Sequence, residues 1–390
     1  MCLLCLGPSA FSQSIEDLMF GTDTTFEVMT WNIEWFPKNG QVTVNYVIDI
    51  VEALDIDLLA IQEVDNINDF EQVVDSLDSY EGYLESLWFA GLAYIYKTET
   101  IQVDSIYEIY TTSQYWSPFP RSPMVMDLNF MNERIIVINN HFKCCGDGIM
   151  DIIDQDDEET RRYIASNLLK DYIDIHFPDE NVIILGDLND VLSDNPENNV
   201  FQSVLDDVEN YLFTDYEIAM GDVSDWSYPT WPSHLDHIMV TNELFDEFEN
   251  ESSAISTIKL DEYFTGGWWQ YDNNVSDHRP VALKLEMNST SSISDLALPT
   301  LHFSNYPNPF NTNTTLTYGL IERADLNINI YNLRGELVWN HFQSSHPAGL
   351  NYSLSWNGVN LNGDSQTSGI YLVRIHAGGQ SLTRKVTLLR

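Results

Sequence analysis

Two short polar runs constrain the fold of this chain more than any other feature. Gly186-Asp187-Leu188-Asn189-Asp190 follows the apolar stretch 181–185, and Ser276-Asp277-His278-Arg279-Pro280 leads into the apolar stretch 280–285. Short stretches rich in Val, Ile and Leu are typical of buried strands. We therefore expect both polar runs at strand ends, where side chains from different strands converge in a cleft. Carboxylates, an amide and an imidazole in such a cleft suit a metal-dependent attack of water on phosphorus.

Strand-like and helix-like segments alternate from about residue 26 to residue 286, which predicts an α/β body with two layered sheets and flanking helices. Further strands are predicted at 26–31, 58–62, 92–96, 101–107, 124–130 and 134–139, and helices at 44–54, 67–77 and 157–176. From residue 301 no helical period is found. Short alternating segments separated by Gly, Asn and Pro predict a small all-β sandwich over 301–390.

The charge of the chain changes near residue 300. The 390 residues hold 17 Lys or Arg and 60 Asp or Glu, a formal charge of −43. Residues 301–390 contain six Lys or Arg and four Asp or Glu, so the first 300 residues carry about −45. This break predicts two separate bodies. The acidic body shows no electrostatic footprint for nucleic acid, and it equally suits a saline habitat or the attraction of cations.

The two ends of the first body are marked by composition. A short apolar core at 3–11 and the small-x-small sequence Ala10-Phe11-Ser12 predict a signal peptide over residues 1–12, although the usual basic start is missing. The first body then covers residues 25–287. The small polar residues of 288–294 predict a linker over 288–300. No stretch is long enough to span a bilayer.

Four cysteines are present in the sequence. Cys2 and Cys5 lie in the predicted signal peptide, where their C-x-x-C spacing is incidental. Cys144 and Cys145 are adjacent. A bond between them would be a strained vicinal disulfide, and two free thiols or a metal contact are the alternatives.

Polar motifs at successive strand ends occur in an order that resembles the endonuclease/exonuclease/phosphatase superfamily, whose fold is deoxyribonuclease-I-like. The motifs are Trp-Asn-Ile-Glu at 31–34, Ile-Gln-Glu-Val at 61–64, Asn-Asn-His-Phe at 139–142, Gly-Asp-Leu-Asn at 186–189, His-Leu-Asp-His at 234–237 and Ser-Asp-His at 276–278. The resemblance covers about residues 26–286. It implies an α+β four-layer sandwich and a metal-dependent phosphoric ester hydrolase.

The resemblance also implies a metal site and an acid–base pair. Glu63 would be a primary ligand of Mg²⁺, or of Ca²⁺ or Mn²⁺, since hard cations prefer oxygen ligands. Asn32 and Asp277 would complete the site, directly or through water. His278 would act as the acid or base, oriented by Asp236. In the alternative reading, Asp236 pairs with one of the neighbouring histidines of its own motif.

Four further residues receive roles from the same resemblance. Asp187 and Asn189 would position the attacking water and a non-bridging phosphate oxygen, although such residues also cap turns. His141 would donate to the scissile phosphate, its alternative being a structural core histidine. Arg121, in a Phe-x-Arg-x-Pro segment at 119–123, would brace the phosphate or a site residue.

Other features near these motifs remain open. Arg161 and Arg162 begin the longest predicted helix and are weaker site candidates. The acidic run 151–159 either binds Ca²⁺ or forms a solvated loop that places negative charge at the helix N-terminus. Pancreatic-type deoxyribonucleases pair the histidine that corresponds to His141 with a glutamate. Residues 88–93 hold no carboxylate at that position.

The C-terminal segment resembles the sorting domain of the type IX secretion system. The resemblance rests on Asn-Tyr-Pro-Asn-Pro-Phe-Asn at 305–311, Ile-Tyr-Asn-Leu-Arg-Gly at 330–335, Trp-Asn-Gly at 356–358 and Gly-Ile-Tyr-Leu-Val-Arg at 369–374. It implies a Bacteroidetes-like Gram-negative host, contact with the type IX machinery, export across the outer membrane, and removal or surface attachment of the segment. A generic β-sandwich binding module is the alternative.

Three functional hypotheses result. The first is a secreted, monomeric, metal-dependent phosphodiesterase that cleaves DNA or RNA. The second is a phosphatase or a lipid phosphodiesterase of the sphingomyelinase kind on the same scaffold. The third is a catalytically inactive adhesin, which the intact set of carboxylates and histidines disfavours.

Overall fold

A computed structural model of the protein describes residues 14–287, without 23 and 86–89, and residues 301–390, without 307, 309, 321, 322, 333, 336, 362, 378 and 379. The predicted signal peptide and linker lie outside the described residues. The chain divides into two compact units, one before and one after residue 290. Within the described residues, every helix is too short or too polar to cross a membrane.

The first unit alternates strands and helices as the sequence predicts. Its strands are β1 (Phe26–Phe36), β2 (Leu58–Val64), β3 (Tyr80–Glu85), β4 (Gly91–Lys97), β5 (Ile101–Glu108), β6 (Met124–Phe130), β7 (Glu133–His141), β8 (Asn181–Asp187), β9 (Tyr211–Phe213), β10 (Asp236–Thr241), β11 (Ala254–Thr257) and β12 (Val281–Leu285). Its helices are α1 (Gln41–Leu54), α2 (Ile67–Ser76), α3 (Glu158–His176), the single turns α4 (Gln202–Leu205), α5 (Tyr216–Ala219) and α6 (Phe245–Phe248), and α7 (Gly267–Asn274).

These strands form two six-stranded mixed sheets, with the orders β11-β12-β1-β2-β4-β3 and β5-β6-β7-β8-β10-β9. Only β1–β2 and β7–β8 are parallel among the described strand pairs of this unit. Helix α1 lies between the first parallel pair in sequence and α3 between the second, as parallel neighbours require a crossover. The carboxyl ends of each pair therefore lie at the same edge of their sheet.

Three apolar layers hold the first unit together. Inward-facing strand residues such as Val28, Leu58, Val137 and Leu185 form the core between the sheets. The opposite faces of the strands pack on helices. Met29 lies in the second layer, under α1 and α2, and the third layer lies under α3. Strands buried on both faces explain the continuous apolar runs in the sequence. The predicted four-layer sandwich is confirmed.

Helix α3 begins where the acidic run ends. The side chain of Asp157 accepts a hydrogen bond from the backbone N–H of Thr160 at 2.8 Å and so caps the helix. Glu158 and Glu159 follow in the first turn, where negative charge is favourable. The last residues of the acidic run therefore stabilise the N-terminus of α3, as the second of the two interpretations of this run predicts.

The second unit consists of β13 (Leu301–Tyr306), β14 (Thr314–Leu320), β15 (Ala324–Asn332), β16 (Leu337–His346), β17 (Gly349–Trp356), β18 (Gly369–Ala377) and β19 (Gln380–Leu388). The antiparallel sheets β13-β14-β17 and β16-β15-β18-β19 enclose one core, which includes Leu316, Ile328, Trp356 and Val373. Buried and partly exposed residues alternate along β15 and β18, which is typical of a sandwich with one solvated face. The predicted all-β domain is confirmed.

Candidate active site

Two adjacent bulges shape the edge where β1 and β2 end. The β1–β2 register shifts between Asn32 and Phe36, and Glu34 and Trp35 adopt positive φ angles of 38° and 51°. In β2, Glu63 lies within a second register shift and has a φ of 65°. Bulges re-aim side chains that a regular strand would send to alternate faces. Here they hold Glu63 so that its Oε2 accepts from the backbone N–H of Trp35 at 3.0 Å.

A second group of polar side chains lies where β7, β8 and β10 meet. His141 is in register with Asp187, and Asp187 is in register with Asp236. Gly186, directly before Asp187, has a φ of 148°, and a Cβ there would lie 2.0 Å from the carbonyl oxygen of Asn140. Only glycine permits this approach of the two backbones. The glycine of the Gly-Asp-Leu-Asn motif thus places Asp187 beside His141.

His278 and Asp236 form a buried pair. His278 Nδ1 lies 2.8 Å from Asp236 Oδ2, and the ring of Tyr228 lies 4.8 Å from that of His278. Burial opposes the charged ring, but the carboxylates of Asp236 and Asp187 raise the pKa of His278 to about 10. The imidazole is therefore protonated at neutral pH, with Nδ1 committed to Asp236 and Nε2 facing the cleft. The alternative pairing of Asp236 is wrong, because the neighbouring histidines of its motif contact Asp215 instead.

Asp187 lies at the centre of the contacts in the cleft. Its Oδ2 accepts a hydrogen bond from Asn32 Nδ2 at 2.9 Å, and lies 3.4 Å from His141 Nε2 and 3.9 Å from His278 Nε2. Burial, reinforced by Asp236 and Glu63, raises the pKa of Asp187 to about 7, against the favourable charge of His278. This carboxylate can therefore exchange a proton near neutral pH.

The three predicted metal ligands lie around Asp187, with different local partners. Asn32 Nδ2 also donates to Glu63 Oε1 at 3.2 Å, while its Oδ1 accepts from the backbone N–H of Glu34 at 2.9 Å. The amide thus bridges two carboxylates. The backbone N–H of Asp277 donates to Glu34 Oε2 at 2.8 Å. The side-chain Oδ1 of Asp277 lies 3.9 Å from His278 Nε2.

His141 is buried and neutral. Burial, with the positive charges of Arg121 and His278, lowers its pKa well below the ordinary value. Its Nε2 faces Glu63 and Asp187, whereas its buried Nδ1 has no hydrogen-bond partner among the described residues. Residues 88–93 contain no carboxylate that could accept from it.

Arg121 and Asn189 complete the predicted set. Burial lowers the pKa of Arg121, while the charges of Glu63 and Asp187 act in the opposite direction, which places its guanidinium near both. Its Nε donates to the carbonyl oxygen of Ala90 at 3.1 Å. Asn189 has a φ of 54°, its N–H donates to Asp187 Oδ1 at 3.1 Å, and its Nδ2 donates to the carbonyl oxygen of Phe142 at 3.3 Å. All nine predicted site residues thus lie in one region.

Sequence reasoning missed Arg162 as the brace between the loops after β7 and β8. Its buried guanidinium donates to Asp190 Oδ2 at 2.8 Å and to the carbonyl oxygens of Lys143 at 2.8 Å and Cys145 at 2.7 Å, and lies 3.3 Å from Glu159 Oε1. It therefore holds together the two loops that carry site residues.

Two more residues were missed, and Arg161 proves peripheral. Glu34 contacts Lys38 and Asp277, one of the predicted metal ligands, and only its place in the first motif signals this. Asp215 is fully buried between two histidines, and no sequence pattern marks it. Arg161 donates from Nε to the carbonyl oxygen of Ser117 at 2.7 Å.

Family comparison agrees with both units. Residues 29–278 match the Endonuclease/Exonuclease/phosphatase family, and residues 304–388 match the secretion system C-terminal sorting domain. No curated protein matches the chain. Both resemblances drawn from the sequence are confirmed.

Several solved structures are similar to this chain over about two thirds of its length. TDP2 of D. rerio, complexed with a single strand DNA product, is 12% identical with a TM-score of 0.51, and the match covers 67% of this chain and 99% of that one. An endonuclease/exonuclease/phosphatase from Bacteroides vulgatus is 14% identical with a TM-score of 0.48, over 68% of this chain and 99% of that one. The human nocturnin catalytic domain is 14% identical with a TM-score of 0.48, and the match covers 67% of this chain and 94% of that one.

Proposed function

Because the chain belongs to the endonuclease/exonuclease/phosphatase family, we propose that it hydrolyses phosphodiester bonds of nucleic acid outside the cell, in a reaction that requires a divalent metal ion. The observation that carries this proposal is the buried His278–Asp236 pair facing Asp187, with Glu63 and Asp277 nearby. The sorting domain at residues 304–388 supports the extracellular location.

The carboxylates of the cleft fit a hard cation. Glu63 and Asp277, together with Asn32, would hold Mg²⁺, or Ca²⁺ or Mn²⁺, through oxygen atoms. Burial and the nearby Asp277 raise the pKa of Glu34 to about 7 despite its contact with Lys38, which shows how crowded the negative charges are. When bound, the cation would polarise the phosphoryl oxygen and offset the charge that develops during the reaction.

The remaining residues divide the proton and phosphate chemistry among them. Asp187, with a pKa of about 7, accepts a proton from the attacking water near neutral pH. His278 holds a proton on Nε2 and presents it to the phosphate or to the leaving oxygen, while Asp236 fixes the ring. Neutral His141, whose Nε2 lies 3.4 Å from Asp187 Oδ2, donates a hydrogen bond to the phosphate, and Arg121 adds positive charge.

Two aromatic rings beside the cleft residues support a single-stranded nucleic acid as the substrate. Trp35 is 43% exposed directly beside the ligand Glu63, and Tyr228 lies against His278. Stacking of a base on an aromatic ring contributes about 1–3 kcal/mol in proteins that bind single strands. Trp35 is therefore placed to stack on a base next to the scissile phosphate.

A phosphatase or lipid phosphodiesterase is the second candidate, and two observations favour it. The charge of about −45 on the first 300 residues opposes a polyanion. The segment between β7 and α3 exposes Ile149, Ile152 and Ile153, the last of these by 89%. Exposed apolar side chains on the segment that follows His141 suit a substrate held at an apolar surface.

Hydrolysis assays with the purified chain test the proposal. Single-stranded DNA, RNA, sphingomyelin and bis-p-nitrophenyl phosphate are each incubated with and without EDTA, with His278→Ala as the inactive control. We expect nucleic acid to be cleaved and EDTA to abolish cleavage. Trp35→Ala should raise KM for the polynucleotide and leave KM for bis-p-nitrophenyl phosphate unchanged.

The other outcomes separate the rival functions. Cleavage of sphingomyelin but not of nucleic acid would establish the second candidate. No hydrolysis of any substrate by a folded chain would favour the inactive adhesin, and full activity in EDTA would contradict the metal requirement.

A further inference from the structure

The loop after β7 carries two cysteines that the proposed chemistry does not use. Cys144 and Cys145 are exposed free thiols whose sulfur atoms lie 3.0 Å apart, with Sγ of Cys145 directed at Sγ of Cys144. Two non-bonded sulfur atoms do not ordinarily approach so closely. The side chains therefore already face each other, which is the arrangement that a bond between them requires.

The backbone that bears these thiols is held on both sides. Arg162 binds the carbonyl oxygens of Lys143 and Cys145 at 2.8 and 2.7 Å. Gly146, with a φ of 115°, passes so close to Glu159 that a Cβ would lie 2.1 Å from its Oε1. Cys145 itself has a φ of 74°. Because the fold already restrains this backbone, less conformational entropy is lost when the thiols come together.

The composition of the chain leaves these thiols few other partners. The remaining cysteines, Cys2 and Cys5, belong to the predicted signal peptide. Residues 304–388 match a secretion sorting domain, and disulfides form and persist in compartments outside the cytoplasm. After removal of the signal peptide, each thiol has only its neighbour as an intramolecular partner.

We propose that Cys144 and Cys145 are a reversible redox modification site, which closes into a vicinal disulfide by exchange with an external disulfide R–S–S–R. The thiolate of one cysteine attacks R–S–S–R and releases one R–S⁻. The other thiol, as its thiolate, then displaces the second R–S⁻ from the mixed disulfide. One S–S bond forms and one breaks, the cysteines lose two electrons and two protons in total, and two R–SH are produced.

The bond should be easily reduced. Cα atoms of adjacent residues lie about 3.8 Å apart across a trans peptide, whereas disulfide-linked Cα atoms usually lie about 4.4–6.8 Å apart. The ring is therefore strained, and strained, exposed disulfides are the labile ones. Cys144 lies three residues after His141, on the loop that Arg162 joins to Asp190. Closure of the disulfide therefore changes the loop that follows a proposed site residue.

Peptide mass spectrometry of the full chain tests the modification without any assay of activity. The chain is treated with oxidised glutathione, alkylated under denaturing conditions and cleaved by trypsin after Lys143 and Arg161. We expect peptide 144–161 to be unalkylated and lighter by two hydrogen atoms, and to become doubly alkylated after dithiothreitol. Cys145→Ser should instead retain one glutathione on Cys144. Two alkylated thiols, or two glutathione adducts, in the wild-type peptide would overturn the proposal.

Two further measurements separate the contribution of the fold from simple adjacency. In a glutathione redox titration, the native chain should close at a ratio of oxidant to reductant about tenfold lower than the urea-unfolded chain. Equal ratios would overturn the preorganisation. The second measurement rests on the proposed hydrolase function. KM for bis-p-nitrophenyl phosphate should differ about threefold between the oxidised and reduced forms. Equal KM values would overturn the effect of the loop on the cleft while leaving hydrolysis itself intact.

Discussion

Replacing Asp215 by Asn tests a buried charge pair behind the cleft. The carboxylate accepts hydrogen bonds from His237 Nδ1 at 2.6 Å, His234 Nε2 at 3.0 Å and the backbone N–H of Ile238 at 2.9 Å. The other ring nitrogen of His237 lies 2.9 Å from the carbonyl oxygen of Asp190. Because both partners of His237 are acceptors, its ring donates through both nitrogens and carries a positive charge.

An asparagine keeps the shape of the side chain but leaves this imidazolium without an opposite charge. Removal of one partner from a buried ion pair costs about 3–5 kcal/mol. In a unit of about 250 residues, 1 kcal/mol lowers the Tm by about 2–4 °C, so the Tm of the first unit should fall by about 10 °C. Deprotonation of His237 at high pH limits the loss there.

The pH dependence of this loss follows from the direction of each pKa shift. Burial acts against both charges, but the attraction of Asp215 raises the pKa of His237 above 6.5, and His237 and His234 hold the pKa of Asp215 well below its usual range. The histidine contributes fully below pH 6.5 and loses its contribution as pH rises through its folded-state pKa. The aspartate contributes fully above pH 3.8 and loses its contribution as pH falls through the folded-state pKa of Asp215. Both contributions are complete between about pH 4 and 6.5.

Thermal unfolding followed by circular dichroism at pH 5.5, 7 and 9 measures the effect. Asp246→Asn, an exposed carboxylate on α6, is the matched control and should leave the Tm nearly unchanged. The difference between the wild type and Asp215→Asn should be largest at pH 5.5. A loss below about 1 kcal/mol at that pH, the range of surface ion pairs, or a loss that does not vary with pH, would refute the assignment of a buried imidazolium.

Other substitutions test the cleft and its supports. Glu63→Gln should lose activity at low Mg²⁺ and regain part of it in excess Mg²⁺, because one charged ligand is removed; an unchanged Mg²⁺ dependence would contradict its role. His278→Ala should lower kcat about 10²–10⁴-fold. Asp236→Asn should cost less and move the basic limb of the pH–rate profile to lower pH, since the carboxylate raises the pKa of His278; a wild-type profile would contradict the pairing. Arg162→Met should destabilise the first unit by about 3–5 kcal/mol in urea, because two buried carboxylates lose their partner. A chain of residues 25–287 should retain full activity, and a folded but inactive product would show that the second unit contributes to the site.

Regular structure was predictable because its physical cause is local. The strand before Asp187 is buried on both faces, so its apolar run is visible in the sequence. The helix predicted from the sequence at 157–176 differs from the observed α3 only by including the capping residue, Asp157. Strands with partly polar faces, such as β3 at Tyr80–Glu85, were missed because edge positions demand no continuous apolar run.

The position of the site was predictable to the level of strand ends, and its internal geometry was not. The motifs place carboxylates and histidines at one edge because parallel strands bring their carboxyl ends together. The bulge that turns Glu63 depends on pairing between strands. The partner of Asp236 likewise depends on a contact with His278, 42 residues away. Neither leaves a periodic signal in the sequence, so the local alternatives to the His278 pairing could be decided only by distances.

Charge links the chemistry of the cleft to the acidity of the whole first unit. A phosphate ester approaching a body of about −45 is repelled, although at physiological salt this repulsion is screened beyond about 8 Å. Inside the cleft, Glu63, Asp187 and Asp277 add negative charge, which His278 and the half-buried Arg121 offset in part. The same carboxylates that repel phosphate attract a divalent cation, which reverses the sign of the local field. Under the proposed function, cation binding would therefore be a condition for holding the substrate as well as for the chemical step, and the acidity of the surface is compatible with that proposal.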